Sequence, residues 1–174
     1  MNTYFIMLAK FNKIHNEKLL GYLSKLSEEQ LNAPNPLLPG GSISGALASM
    51  IFNATFTQRT VQEAGLMFSD HSAPYVKPPE DKSNPPSYKG ASFAELSKAL
   101  NTLSRGYVDT FSTCTAEVLK KGSPVPKYDM MSKGLFMAMY TRGQVLYELS
   151  KMGIADMETI FKGPLVDDGS MKLP

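Results

Sequence analysis

The side chains able to do chemistry in this chain are few and far apart. It has two histidines, His15 and His71, and one cysteine, Cys114. Zinc and similar ions take three or four ligands from His, Cys and carboxylates, and such sites usually show a short ligand spacing in sequence. No trio of these residues stands at that spacing here. A nucleotide-binding glycine loop, a serine-hydrolase elbow and a paired catalytic carboxylate motif are also missing from the sequence. A triad built from distant residues would have to use one of only two histidines. Cys114 lies in no cationic cluster that would depress its thiol pKa, and it reads as a small buried hydrophobe. His71, beside Asp70, reads as solvent-facing, and Asp167-Asp168 as part of a solvated tail.

Any such residues must be positioned by helices. Tyr4, Leu8, Phe11, His15, Leu19, Tyr22 and Leu26 recur at three- and four-residue steps, which predicts a first helix over 3–26 with one apolar stripe. Ser27-Glu28-Glu29-Gln30 has the form of a capping box, opening a short helical turn that ends by Asn32. Residues 33–40 hold three prolines and then a glycine pair, and read as a loop. Ser42 is a candidate N-cap for a second long helix, roughly 42–67, with Ile43, Leu47, Met50, Ala54, Thr57 and Val61 inward. Residues 68–90 carry five prolines and no strand pattern. So long an irregular stretch needs a reason, and a crossover between two parallel helices supplies one.

Ser92 and Glu95 form a second capping box, opening a third helix with Phe93, Leu96, Leu100, Leu103, Tyr107, Phe111 and Val118 inward. Lys120-Lys121-Gly122 reads as its end, 123–131 as a short connection, and Ser132 as the start of a fourth helix closed by Gly153. Met157, Ile160 and Phe161 read as one docked turn of a tail spanning 154–174. The expected fold is one all-α domain, a four-helix bundle with a core over about 3–153 and a long proline-rich crossover between helices two and three.

Several short stretches, in this order, resemble the DinB/YfiT-like superfamily of helical bundles. FNKIHNEKLL looks like its Tyr-Asn-x-x-x-Asn-x-x-Leu-Leu pattern, and Leu26-Ser27-Glu28-Glu29-Gln30-Leu31 its Leu-Ser-x-Glu-Gln-Leu. Gly41-Ser42-Ile43, then Gly45 and Leu47, resembles the usual entry to helix two, and Tyr140-Thr141-Arg142-Gly143-Gln144-Val145 the His-Arg-Gly-Gln-Val stretch. The likeness covers roughly residues 1–153. It implies an up-down-down-up bundle. It also implies a divalent-metal site made by one histidine of helix two and a His-x-x-x-His pair of helix four, which some relatives use to activate a thiol or a water. Position by position, those three ligands fall on Ser49, Met137 and Thr141. Two alcohols and a thioether are poor ligands for zinc or nickel. The expectation is therefore no metal and no cofactor.

His15 lies on the inward stripe near the expected level of Ser49. It is either a pocket residue bonded to Ser49 or Thr141, or a core histidine satisfied by a backbone carbonyl or water. Ser49 and Thr141 either line a small polar pocket or bond back to their own helix carbonyls. Met137 reads as packing. Arg142 and Gln144 read as serving the fold through surface contacts and bonds to a neighbouring helix or loop, with an anion-binding role for Arg142 as the alternative. Gly143 reads as permitting close helix approach.

The formal charge of +2 is spread along the chain with no basic block, which argues against a nucleic-acid surface. No apolar run approaches the roughly 20 residues needed to cross a bilayer, and the start lacks the cationic region of a signal peptide. With a single cysteine, this points to the cytoplasm. Three functional readings remain open. The first is a metal-free bundle holding a small ligand in its core near His15, Ser49, Met137 and Thr141. The second is a metal-dependent thiol transferase or hydrolase like the metal-bearing relatives. The third is a homodimeric structural or interaction protein using Ile6, Phe52, Phe56 and Phe136.

Overall fold

The computed structural model describes residues 2–63, 90–113 and 127–156, and among these it is all helical, with no strand. Five helices follow in order: α1 (Asn2–Leu23), α2 (Glu28–Asn32), α3 (Ile43–Glu63), α4 (Phe93–Thr113) and α5 (Lys127–Lys151). A 3-10 turn at Pro39–Gly41 leads into α3. None of the described helices is long and apolar enough to cross a membrane. The expected crossover at 68–90, the Lys120-Lys121-Gly122 helix end, Cys114, His71, and the tail residues Met157, Ile160, Phe161, Asp167 and Asp168 lie outside the described residues.

Helix starts follow the capping chemistry of the sequence. Ser27 Oγ accepts from Gln30 N–H while the Gln30 side chain accepts from Ser27 N–H, so the box at α2 closes in both directions. Ser92 and Glu95 do the same at α4, with Ser92 N–H donating to the Glu95 carboxylate at 2.8 Å. That backbone bond, with the bond from the Ser92 hydroxyl, holds the Glu95 carboxyl below its usual pKa. Ser42 Oγ accepts from Gly45 N–H at 3.0 Å to start α3.

Two helix boundaries differ from expectation. The first long helix stops at Leu23, because residues 24–26 tighten into a turn with Lys25 N–H to Tyr22 O and Leu26 N–H to Leu23 O. The last begins at Lys127, five residues before Ser132. Pro126 precedes it in sequence, where a helix can begin, and Asp129 in its first turn complements the positive end of the dipole. Gly153 (φ 69°) closes this helix, with Ile154 N–H reaching back to Leu149 O at 2.9 Å.

The four long helices form a ring. Its closest packings are α3 on α5 and α1 on α4, and α3–α4 and α1–α5 contacts complete it. Leu19, Leu23, Leu47, Met50, Ile51, Leu96, Leu100, Phe111 and Leu149 are fully buried between them. Phe5 packs on Phe111 with ring centroids 5.4 Å apart, and the Tyr107 hydroxyl donates to Ala54 O. The α3–α5 approach depends on Gly134, where a Cβ would overlap the Thr57 hydroxyl. At the entry to α3, a Cβ on Gly45 would run into the backbone of Gly40, itself at φ 73°. Gly143 permits no close approach, contrary to expectation: it is exposed, and nothing lies within 4 Å of its would-be Cβ.

These two glycines of one helix should therefore answer oppositely to alanine. Gly134→Ala should cost about 1–3 kcal/mol in urea unfolding through overpacking. Gly143→Ala should gain about 0.5–1 kcal/mol from helix propensity alone.

Candidate functional site

The centre of the bundle is polar, and it is organised by an arginine. Arg142 is only 4% exposed. Its side chain leaves α5 toward α1, where Nη1 donates to Asn12 Oδ1 at 3.1 Å and to Asn16 Oδ1 at 2.7 Å. Asn12 and Asn16 stand one turn apart on α1, so both amide oxygens reach the same nitrogen. Their own N–H groups are also used. Asn12 Nδ2 donates to Leu8 O at 3.0 Å. Asn16 Nδ2 donates to Ser104 Oγ at 3.0 Å, and Ser104 Oγ donates in turn to Leu100 O at 2.7 Å. One chain of bonds thus runs from α5 through α1 to α4. The guanidinium carbon lies 5.5 Å from the Phe11 ring centroid. Burial lowers the Arg142 pKa to about 10, which leaves the side chain charged at neutral pH.

His15 is buried beside this group, with its ring 4.2 Å from that of Phe11. Burial, then the positive charges of Arg142 and Lys18, push its pKa down to about 4. The imidazole is therefore neutral at physiological pH. Among the described residues it makes no hydrogen bond to Ser49 or Thr141.

The three positions matched to metal ligands have unlike environments. Thr141 is 1% exposed, Ser49 is half-buried, and Met137 is 39% exposed on the outside of α5. Met137 is therefore not the packed side chain that its type suggests. A soft thioether at the surface and two neutral alcohols do not fit zinc or nickel. Among the described residues, no three His, Cys, Asp or Glu side chains gather as a ligand set.

A cavity of about 20 Å³ lies between α1, α3, α4 and α5, with Asn12, Asn16, Thr57, Ser104 and Tyr107 among its lining. It has room for about one water. None of His15, Ser49, Met137 and Thr141 lines it. Arg142 makes the expected bonds to a neighbouring helix, but from a buried position and not at the surface. Gln144 does meet that expectation, donating to Leu37 O at 3.5 Å and to the Tyr140 hydroxyl at 3.4 Å. The residues that sequence reasoning misses are Asn12 and Asn16. Their signal was two amides at a four-residue step beside an apolar stripe.

Two measurements test this arrangement. Asn16→Ala removes an acceptor from a buried cation and a donor from Ser104, and should cost about 2–3 kcal/mol in urea unfolding. His15 binds a proton near 6.5 when unfolded and near 4 when folded, so its contribution to stability is complete above 6.5 and is lost as pH falls toward 4. The His15 ring resonance should accordingly titrate near 4 by NMR, and His15→Gln should flatten the loss of stability across that window.

Compared with known proteins, the chain matches no family model, no curated protein and no solved structure.

Proposed function

We propose that this chain is a divergent DinB/YfiT-like bundle that has lost the family's metal chemistry and works by binding, with a second copy of itself as the partner. The up-down-down-up course of that family is supported by matched levels along the helices. Phe5 meets Phe111 and Asn16 meets Ser104, so α1 and α4 run in opposite directions. Gly134 lies against Asn53 and Thr57 while Gln144 reaches Leu37, ahead of α3, so α3 and α5 are antiparallel too. Tyr107 meets Ala54, and Phe93 N–H meets the Glu28 side chain near the start of α3, which favours a parallel α3–α4 pair. A parallel pair adjacent in sequence calls for a crossover over 68–90.

The observation that carries the binding reading is a set of exposed apolar side chains on α3 and α5. Phe52 and Phe56 stand one turn apart on α3, and Phe136 and Tyr140 one turn apart on α5 beside Met137. All five are exposed, Tyr140 at 63%. The antiparallel levels place the two sets at overlapping heights along the bundle. Apolar side chains grouped in this way usually mark an interaction surface. Ile6, by contrast, is partly buried against the core and does not belong to it.

The other two readings have less support. A core ligand would need several hundred Å³, on the order of 300 or more, and among the described residues the cavity beside Asn12, Asn16 and Ser104 offers about 20 Å³. A thiol transferase or hydrolase would need a metal that Ser49, Met137 and Thr141 are poorly suited to hold.

Sedimentation velocity across a concentration series should show a reversible dimer. Phe52→Glu and Tyr140→Glu should each weaken it at least about tenfold while leaving the monomer folded. A wild-type chain that stays monomeric at every concentration would overturn this reading.

A further inference from the structure

Among the described residues, the exposed positions of α5 recur at three- and four-residue steps from Asp129 to Lys151, which puts them on one side of the helix. Tyr140, 63% exposed, stands at the middle of this stripe. The stripe is patterned about Tyr140. Asp129 lies eleven residues before it and Lys151 eleven after. Lys133 lies seven before and Tyr147 seven after. Met137 lies three before and Gly143 three after.

When two antiparallel copies of one helix cross at a residue, positions at equal steps to either side of it meet. Crossing at Tyr140 gives each of these residues a chemically matched partner. The Asp129 carboxylate of one copy meets the Lys151 ammonium of the other. The Lys133 ammonium meets the Tyr147 ring, an attractive cation–π pair. The Met137 side chain meets the space beside Gly143. A parallel pair would instead set Asp129 on Asp129, Lys133 on Lys133 and Lys151 on Lys151, like charges that repel. Charge complementarity therefore selects the antiparallel arrangement.

The single chain is already prepared for it. Lys151 Nζ is held by the Glu148 carboxylate at 3.0 Å and lies 5.5 Å from the Tyr147 ring centroid, which fixes the ammonium beside that ring. Gly143 costs its helix about 1 kcal/mol relative to alanine. Nothing lies within 4 Å of its would-be Cβ, so the bundle itself makes no use of the gap. An antiparallel partner does, because a missing side chain lets a second helix come close.

We propose that two copies of this chain pair α5 on α5, antiparallel, about a two-fold axis at Tyr140. The proposal rests on the dimer reading above and adds the residues and direction of the contact.

The test places one nitroxide spin label on the full chain, at Ser132→Cys in a Cys114→Ser background. Ser132 is half-buried at the flank of the stripe and takes part in none of the pairs. At concentrations where sedimentation shows the dimer, the two labels should lie about 25–30 Å apart by pulsed electron paramagnetic resonance, from a rise of about 1.5 Å per residue and helix axes about 10 Å apart. Gly143→Leu should weaken the dimer at least about tenfold by filling the gap, with the monomer still folded by circular dichroism. A dimer with labels closer than about 15 Å (the parallel pair, at one interaxial spacing) or farther than about 40 Å, beyond the reach of one helix pair, would overturn this pairing and leave the dimer reading standing. So would a dimer undisturbed by Gly143→Leu. A chain that stays monomeric throughout would remove both.

Discussion

A charged guanidinium in the middle of a helical bundle can be held in very few ways, and this structure depends on the one it uses. Arg142 gives both Nη1 hydrogens to two amide oxygens on α1, one turn apart. Neither helix can slide or turn by one residue without breaking both bonds, because each residue advances about 1.5 Å and rotates about 100°. Asn16 carries the constraint on to Ser104 and so to α4. The apolar core around these groups supplies the burial, but leucines and methionines would tolerate neighbouring registers. The polar chain selects one of them, at the cost of desolvating a cation.

The same helix separates three jobs around its circumference. Toward α1, α5 presents Arg142. Toward α3 it presents Gly134, whose missing side chain lets Thr57 come close. Outward it presents Phe136, Met137 and Tyr140. Met137 stands at the surface of α5, whereas the bonds that fix register leave from buried Arg142.

Much of the fold is legible in the sequence, and the reasons are local. The boxes at Ser27 and Ser92 and the cap at Ser42 each involve residues three apart, so pattern alone finds them. The site is less legible because its partners are not local. Asn12 looks like a polar residue at the edge of a stripe until Arg142, 130 residues later, is folded against it. An arginine in isolation suggests the surface, since buried ones are rare without a carboxylate. Gly143, next to the arginine, draws attention as the packing glycine, yet Gly134 has that role. Only the rotation of α5 distinguishes them, and that rotation follows from Arg142 pointing inward. The start of α5 at Lys127 escaped for a different reason: Ser132 is a good cap residue, but a helix already under way has no use for one.

The bonds from Arg142 to α1 span 130 and 126 residues of chain. On the ribosome, α1 emerges well before α5 and carries two amide oxygens on a face otherwise suited to apolar packing. Nothing made before the last long helix can satisfy them in the native way. The nascent bundle must therefore wait, open on that side, until α5 has left the exit tunnel. Until then, α1 is open to protein-quality-control factors for longer than the helices that follow it.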